Sequence, residues 1–185
     1  MKWKNTRDAW GAPAKLFHWV MAALILAQIG LGWVAVSWRL SPLKLNLFVW
    51  HKSIGMLILV LALLRLLWRL ANPTPALPAG TPTWERNAAR GGHALLYLAM
   101  IAMPFSGWIV NAAANVPFRI FWTIPLPAIV APDQAVEEFA KLAHFALFVL
   151  LAALLGVHVG AALRHHSVKR NDILVRMLPG KGTSP

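Results

Sequence analysis

The sequence predicts an all-α integral membrane protein, a four-helix bundle with both termini on the cytoplasmic side. Three observations carry this. Of 185 residues, 58% are hydrophobic and only 13% charged, against about 25% charged in an ordinary soluble domain, and the mean hydropathy is +0.58. Four stretches approach the roughly 20 apolar residues that cross the hydrocarbon core. The 18 Lys+Arg, set against 6 Asp+Glu, are unevenly shared between the two sides of those stretches.

The first span, 16–38, is uncharged apart from His18. The second, 48–68, surrounds the aliphatic run 56–64, with Lys52 near its start and Arg65 near its end. The third, 91–111, holds His93 and Tyr97 as its ionisable groups. The fourth, about 138–163, starts ahead of its apolar core and carries His144 and His158. The connections are polar or broken. Ser41-Pro42 interrupts the first, and 72–82 holds four prolines and a glycine, which excludes a helix. The third connection, 116–132, has four prolines among Trp and Phe and is expected to lie as an irregular loop on the membrane interface. The basic tail, 167–185, is expected to rest on the bilayer surface through Ile173, Leu174 and Met177. The whole, 1–185, reads as a single domain.

Orientation follows from the cations. Thirteen lie on the side of the termini and second connection: Lys2, Lys4, Arg7, Lys15, Arg65, Arg69, Arg86, Arg90, Arg164, Lys169, Arg170, Arg176 and Lys181. Five lie on the other: Arg39, Lys44, Lys52, Arg119 and Lys141. The richer side is cytoplasmic by the positive-inside rule, so the net charge of +12 is a topology signal and nucleic acid is not expected as a partner. The first apolar run exceeds the about 7–15 residues of a signal-peptide core and reads as a retained span. No cysteine is present, which excludes disulfides, zinc-thiolate sites, iron–sulfur clusters and covalently attached haem.

Ionisable groups inside spans are costly and mark functional sites. His144 and His158 are fourteen residues apart, so they share one helix face at two depths about 21 Å apart. His18 begins the first span on the cytoplasmic side, at the depth of His158. His51 begins the second on the periplasmic side, at the depth of His144. Each depth thus receives two histidines from different helices. Paired imidazoles from facing helices suit a six-coordinate haem iron. Zinc prefers four ligands at one point.

Several neighbours allow two readings. Gly32, Gly55, Gly156 and Gly160 either leave room for a macrocycle or serve helix–helix contact. Arg65, fourteen residues after His51, pairs with propionates of the inner haem or snorkels to headgroups. Lys52 serves outer propionates or anchors at the interface, and Lys52, Lys141, Arg119 and Lys44 form an anion-steering mouth or pair with lipid. His93 replaces His18 as a ligand, donates to a propionate, binds a quinone, or is a satisfied interfacial side chain. His165 and His166 are expected to be solvated at the membrane edge.

The chain resembles the bacterial cytochrome b561 group of diheme four-helix membrane proteins, relatives of the cytochrome b subunits of nickel hydrogenases and formate dehydrogenases. The resemblance runs from about Trp10 to Pro179. It rests on Leu16-Phe17-His18-Trp19, His51-Lys52-Ser53-Ile54-Gly55, Leu63-Leu64-Arg65-Leu66-Leu67-Trp68-Arg69 before Pro73-Thr74-Pro75, and Gly92-His93-Ala94-Leu95-Leu96-Tyr97. Pro104-Phe105-Ser106-Gly107-Trp108, His144, His158, Asn171-Asp172-Ile173-Leu174 and Met177-Leu178-Pro179 complete it. It implies two non-covalent b-type haems, the inner on His18 and His158 and the outer on His51 and His144. It further implies electron transfer in the bacterial inner membrane between a small-molecule or protein donor and the quinone pool, with ubiquinone as substrate or bound ligand. One branch is similar to superoxide:ubiquinone oxidoreductases, and the short chain fits a stand-alone member. Two rival functions stand beside it: the membrane anchor of a dehydrogenase or hydrogenase-like complex, and a non-redox transporter.

Overall fold

A computed structural model describes residues 3–180; Lys2 and Lys181, counted above for orientation, lie outside the described residues. Four long helices, α1 (Ala12–Ser37), α2 (Pro42–Leu70), α3 (Thr83–Ala113) and α4 (Gln134–Ser167), form the membrane bundle, and each is long and apolar enough to cross a bilayer. All four extend beyond the apolar stretches because the flanking residues supply helix ends. Pro13 and Pro42 sit in the first turns of α1 and α2, where a missing N–H costs nothing. Ser41 caps α2 by accepting from the Lys44 amide, and Asp133 caps α4 by accepting from the Val136 amide at 2.9 Å.

The bundle core is a layer of Met21, Ile25, Ile58, Ala62, Leu96, Ala99, Met100 and Leu151. Around it the outer faces are strongly apolar: Trp33 is 73% exposed and Val157 72%. Such a surface is stable only against lipid. Close backbone packing joins α1 to α2, α2 to α3, and α3 to α4, while α4 faces α1 and α2 at wider separation.

Two regions hold structure that the sequence expectation did not include. The third connection is not irregular: it contains an antiparallel hairpin, β1 (Phe118–Ile120) and β2 (Ile124–Leu126), with Phe118 opposite Leu126 and Ile120 opposite Ile124. Its turn holds Phe121 and Trp122 at φ of 47° and 62°, a left-handed conformation that costs bulky side chains energy. Their contacts hold them there. The Phe121 amide donates to Ser53 Oγ at 2.8 Å, and Trp50 meets the rings of Phe121 and Trp122 edge-on at 5.7 and 5.3 Å.

The tail also has structure of its own. A short helix, α5 (Ile173–Met177), docks on the start of α1, where Lys15 Nζ donates to the Leu178 carbonyl at 3.0 Å and Trp19 Nε1 to that of Met177 at 2.8 Å. Glu85, buried at the start of α3, pairs with Arg164 and Lys169. His165, expected to be solvated, instead bonds Asn171 through Nδ1 at 2.8 Å and so fixes the turn into the tail. His166 is exposed.

Candidate functional site: two imidazole clusters

The histidines gather at two ends of the bundle. At the end away from the termini, His51 of α2 and His144 of α4 stand with ring centroids 6.3 Å apart. At the other, His18 of α1 and His158 of α4 are separated by 6.1 Å, and His93 of α3 lies 5.6 Å from His158. The structure therefore makes the second cluster a triad, with His93 nearer to His158 than His18 is.

Glycine shapes the first cluster. A Cβ at Gly32 would meet His51 Cε1 at 2.9 Å and Nδ1 at 3.2 Å, so the imidazole rests directly on the α1 backbone. His51 Nδ1 is buried without a hydrogen-bond partner among the described residues, as is Gln28 Oε1. The Gln28 amide donates to the His51 carbonyl, which ties α1 to α2 at this depth. His144 is held differently. Its Nδ1 lies 2.8 Å from Ser106 Oγ, which itself donates to the Met103 carbonyl at 2.7 Å.

At the second cluster, Arg65 NH2 lies 3.0 Å from His18 Nδ1. A guanidinium only donates, so His18 Nδ1 accepts and its proton sits on Nε2. Arg65 thus bonds an imidazole within the bundle instead of snorkelling to headgroups. Both Arg65 and Arg69 lie over the Tyr97 ring at 5.7 Å, and beside them Trp68 Nε1 is buried without a partner among the described residues. These donors border a pocket with Asn5, Trp10 and Met177. A Cβ at Gly156 or Gly160 would meet no protein atom within 4 Å, which removes the helix-contact reading for both. At Gly55 it would touch only Gln28 Nε2, at 3.4 Å.

The cations of the expected mouth are mostly engaged. Lys52 donates to Asn111 Oδ1 and lies 5.5 Å above the Phe118 ring. Lys44 donates to the carbonyls of Val36 and Trp38 and closes the α1–α2 turn. Lys141 pairs with Glu137 one turn earlier. Arg119 is exposed on β1. The anchoring groups Ser53, Ser106 and Asn111 escaped the sequence reading because no spacing singles them out. Ser53 and Ser106 are visible there only inside the His51–Gly55 and Pro104–Trp108 strings.

Four helices apolar and long enough to span a bilayer thus carry paired imidazoles at both ends of the bundle, the architecture of a membrane electron-transfer cytochrome, and comparison with known proteins assigns that class. The chain belongs to the prokaryotic cytochrome b561 family, whose profile matches residues 9–180. It is 35% identical over 191 residues to cytochrome b561 homolog 2 of Escherichia coli (strain K12), covering 100% of this chain and 98% of that one. Its identity to the probable superoxide oxidase CybB of Yersinia pestis is 28% over 167 residues, 89% and 92% of the two chains. Cytochrome b561 homolog 1 of the same E. coli strain is 26% identical over 166 residues, 88% and 92% of the two. The family binds b-type haem, and the chain is accordingly a multi-pass protein of the bacterial inner membrane in an oxidoreductase family.

Proposed function

We propose that the protein is a diheme cytochrome b that takes electrons from a periplasmic donor, superoxide being the favoured class, and delivers them to the quinone pool. The observation that carries this reading is the pair of cross-helix imidazole separations, 6.3 and 6.1 Å. Two imidazoles that held one metal between them through nitrogens at about 2 Å would have their ring centres roughly 6 Å apart. Glycines against His51 and beside His158, and the wide separation of α4 from α1 and α2, suit a flat macrocycle in the same places. When bound, each haem supplies a one-electron redox centre.

The chain's own groups take these roles. His51 and His144 would hold the outer haem, and His18 and His158 the inner. For His18 to bind through Nε2, its Nδ1 would have to carry the proton and Arg65 would have to leave that nitrogen. Arg65 would then be free to pair with propionates, together with Arg69 and the Trp68 indole N–H. His93 stands beside His158 as a third imidazole able to hold a proton. The thirteen cations on the termini side make that side cytoplasmic, so the His51–His144 end faces the periplasm. At that end the hairpin is pinned to Ser53 and Trp50, and its Arg119 supplies an exposed positive charge that attracts an anion. The net reaction balances as two superoxide anions and two protons with one quinone, giving two dioxygen and one quinol. The donor class rests on the relative described as a probable superoxide oxidase.

Stopped-flow mixing of the purified, haem-loaded protein with superoxide tests the reading. Expected are two haems per chain, rapid reduction by superoxide, and reoxidation only when quinone is added. One haem per chain refutes the diheme reading. Two haems that superoxide does not reduce point to the anchor of a larger complex.

A further inference from the structure

The Ser106 hydroxyl lies against His144 Nδ1 at 2.8 Å. Ser106 is 7% exposed, on the face of α3 that meets α4. A serine hydroxyl has one proton. Here it goes to the Met103 carbonyl, 2.7 Å away, so at the 2.8 Å contact Oγ accepts and His144 Nδ1 donates. A neutral imidazole protonated at Nδ1 keeps its free lone pair on Nε2, the nitrogen a metal would take. The next residue holds the ring in place as well, since a Cβ at Gly107 would meet His144 Cε1 at 3.3 Å and Nδ1 at 3.5 Å. His51, across the gap, has no such anchor on its Nδ1 among the described residues.

We propose that Ser106 is a positioning residue for the outer haem. It fixes the tautomer and orientation of His144 and, by accepting the Nδ1 proton, raises the donor strength of Nε2. Hydrogen-bond partners of ligating histidines act in this way, and their loss commonly costs 10–100-fold in metal affinity or activity. A stronger imidazole donor favours ferric over ferrous iron and lowers the midpoint potential of that centre alone. The proposal rests on the reading that His144 ligates a haem.

The test compares wild type, S106A, S106T and H144A in the haem-loaded protein, by haem content and by potentiometric titration of both centres. H144A is expected to lose one haem; if it keeps both, the ligation reading fails, and this inference with it. S106A is expected to raise the potential of one centre by about 59 mV, a tenfold change in a one-electron equilibrium, and to leave the other centre in place. S106T keeps the hydroxyl and is expected to match wild type. Should S106A instead lose one haem while S106T retains it, the hydroxyl is still required and the proposal stands. Unchanged potentials in S106A overturn it while leaving the ligation reading intact, and so do equal effects of S106A and S106T.

Discussion

Replacing Gly32 with alanine places a methyl group against the His51 imidazole. The added Cβ would lie 2.9 Å from Cε1, roughly 0.6 Å inside the optimal carbon–carbon separation of about 3.5 Å. The ring cannot yield without changing its 6.3 Å separation from His144 or its tilt. Overpacking of this kind costs about 1–3 kcal/mol, and the gain of alanine over glycine within a helix offsets about 1 kcal/mol of it. The net loss of stability is therefore small, about 0–2 kcal/mol. The ligand geometry suffers more. G32A is expected to weaken retention of the outer haem by at least tenfold, read as haem per chain after dilution or competition with apomyoglobin, while the inner centre keeps its spectrum. Gly30 is the control: a Cβ there meets nothing within 4 Å, so G30A should leave both centres unchanged. Wild-type haem retention and wild-type potentials in G32A would refute the argument that the imidazole is seated on the α1 backbone.

Three further outcomes follow from the same geometry. H18A should drop the haem content from two to one whereas H93A keeps two; the reverse result would make His93 the partner of His158. S53A removes the acceptor of the Phe121 amide at a fully buried position and should destabilise the protein by about 1–3 kcal/mol, measured by thermal unfolding in detergent; a change below 0.5 kcal/mol, on the order of an ordinary surface substitution, would mean the hairpin is held by its aromatic contacts alone. R119A should slow reduction by superoxide on the order of twofold at low salt and not at high salt. An equal effect at both salt levels in the stopped-flow rates would exclude steering by this charge.

The spans were legible because each is a long apolar run with at most four ionisable groups, most of them near its ends, and the fourteen-residue step from His144 to His158 survives folding as two clusters at opposite ends. Helix ends were less legible, since hydropathy stops where the membrane does while Ser41 and Asp133 carry the hydrogen bonding further. The hairpin was hidden by its prolines. Pro117 and Pro125 argue against a strand, yet Pro125 sits opposite Arg119 in a two-stranded ribbon, where an outward N–H is not needed. The stabilising partners, Trp50 and Ser53, lie about seventy residues away in sequence, beyond any local pattern. Polar anchors such as Ser106 and Asn111 look ordinary in the sequence because their importance lies in a partner on another element.

α4 supplies one imidazole to each cluster and, among the described residues, packs most closely on α3. Both clusters therefore depend on how one helix is seated: a substitution that shifts α4 on α3 changes the imidazole separation at His51 and at His18 together.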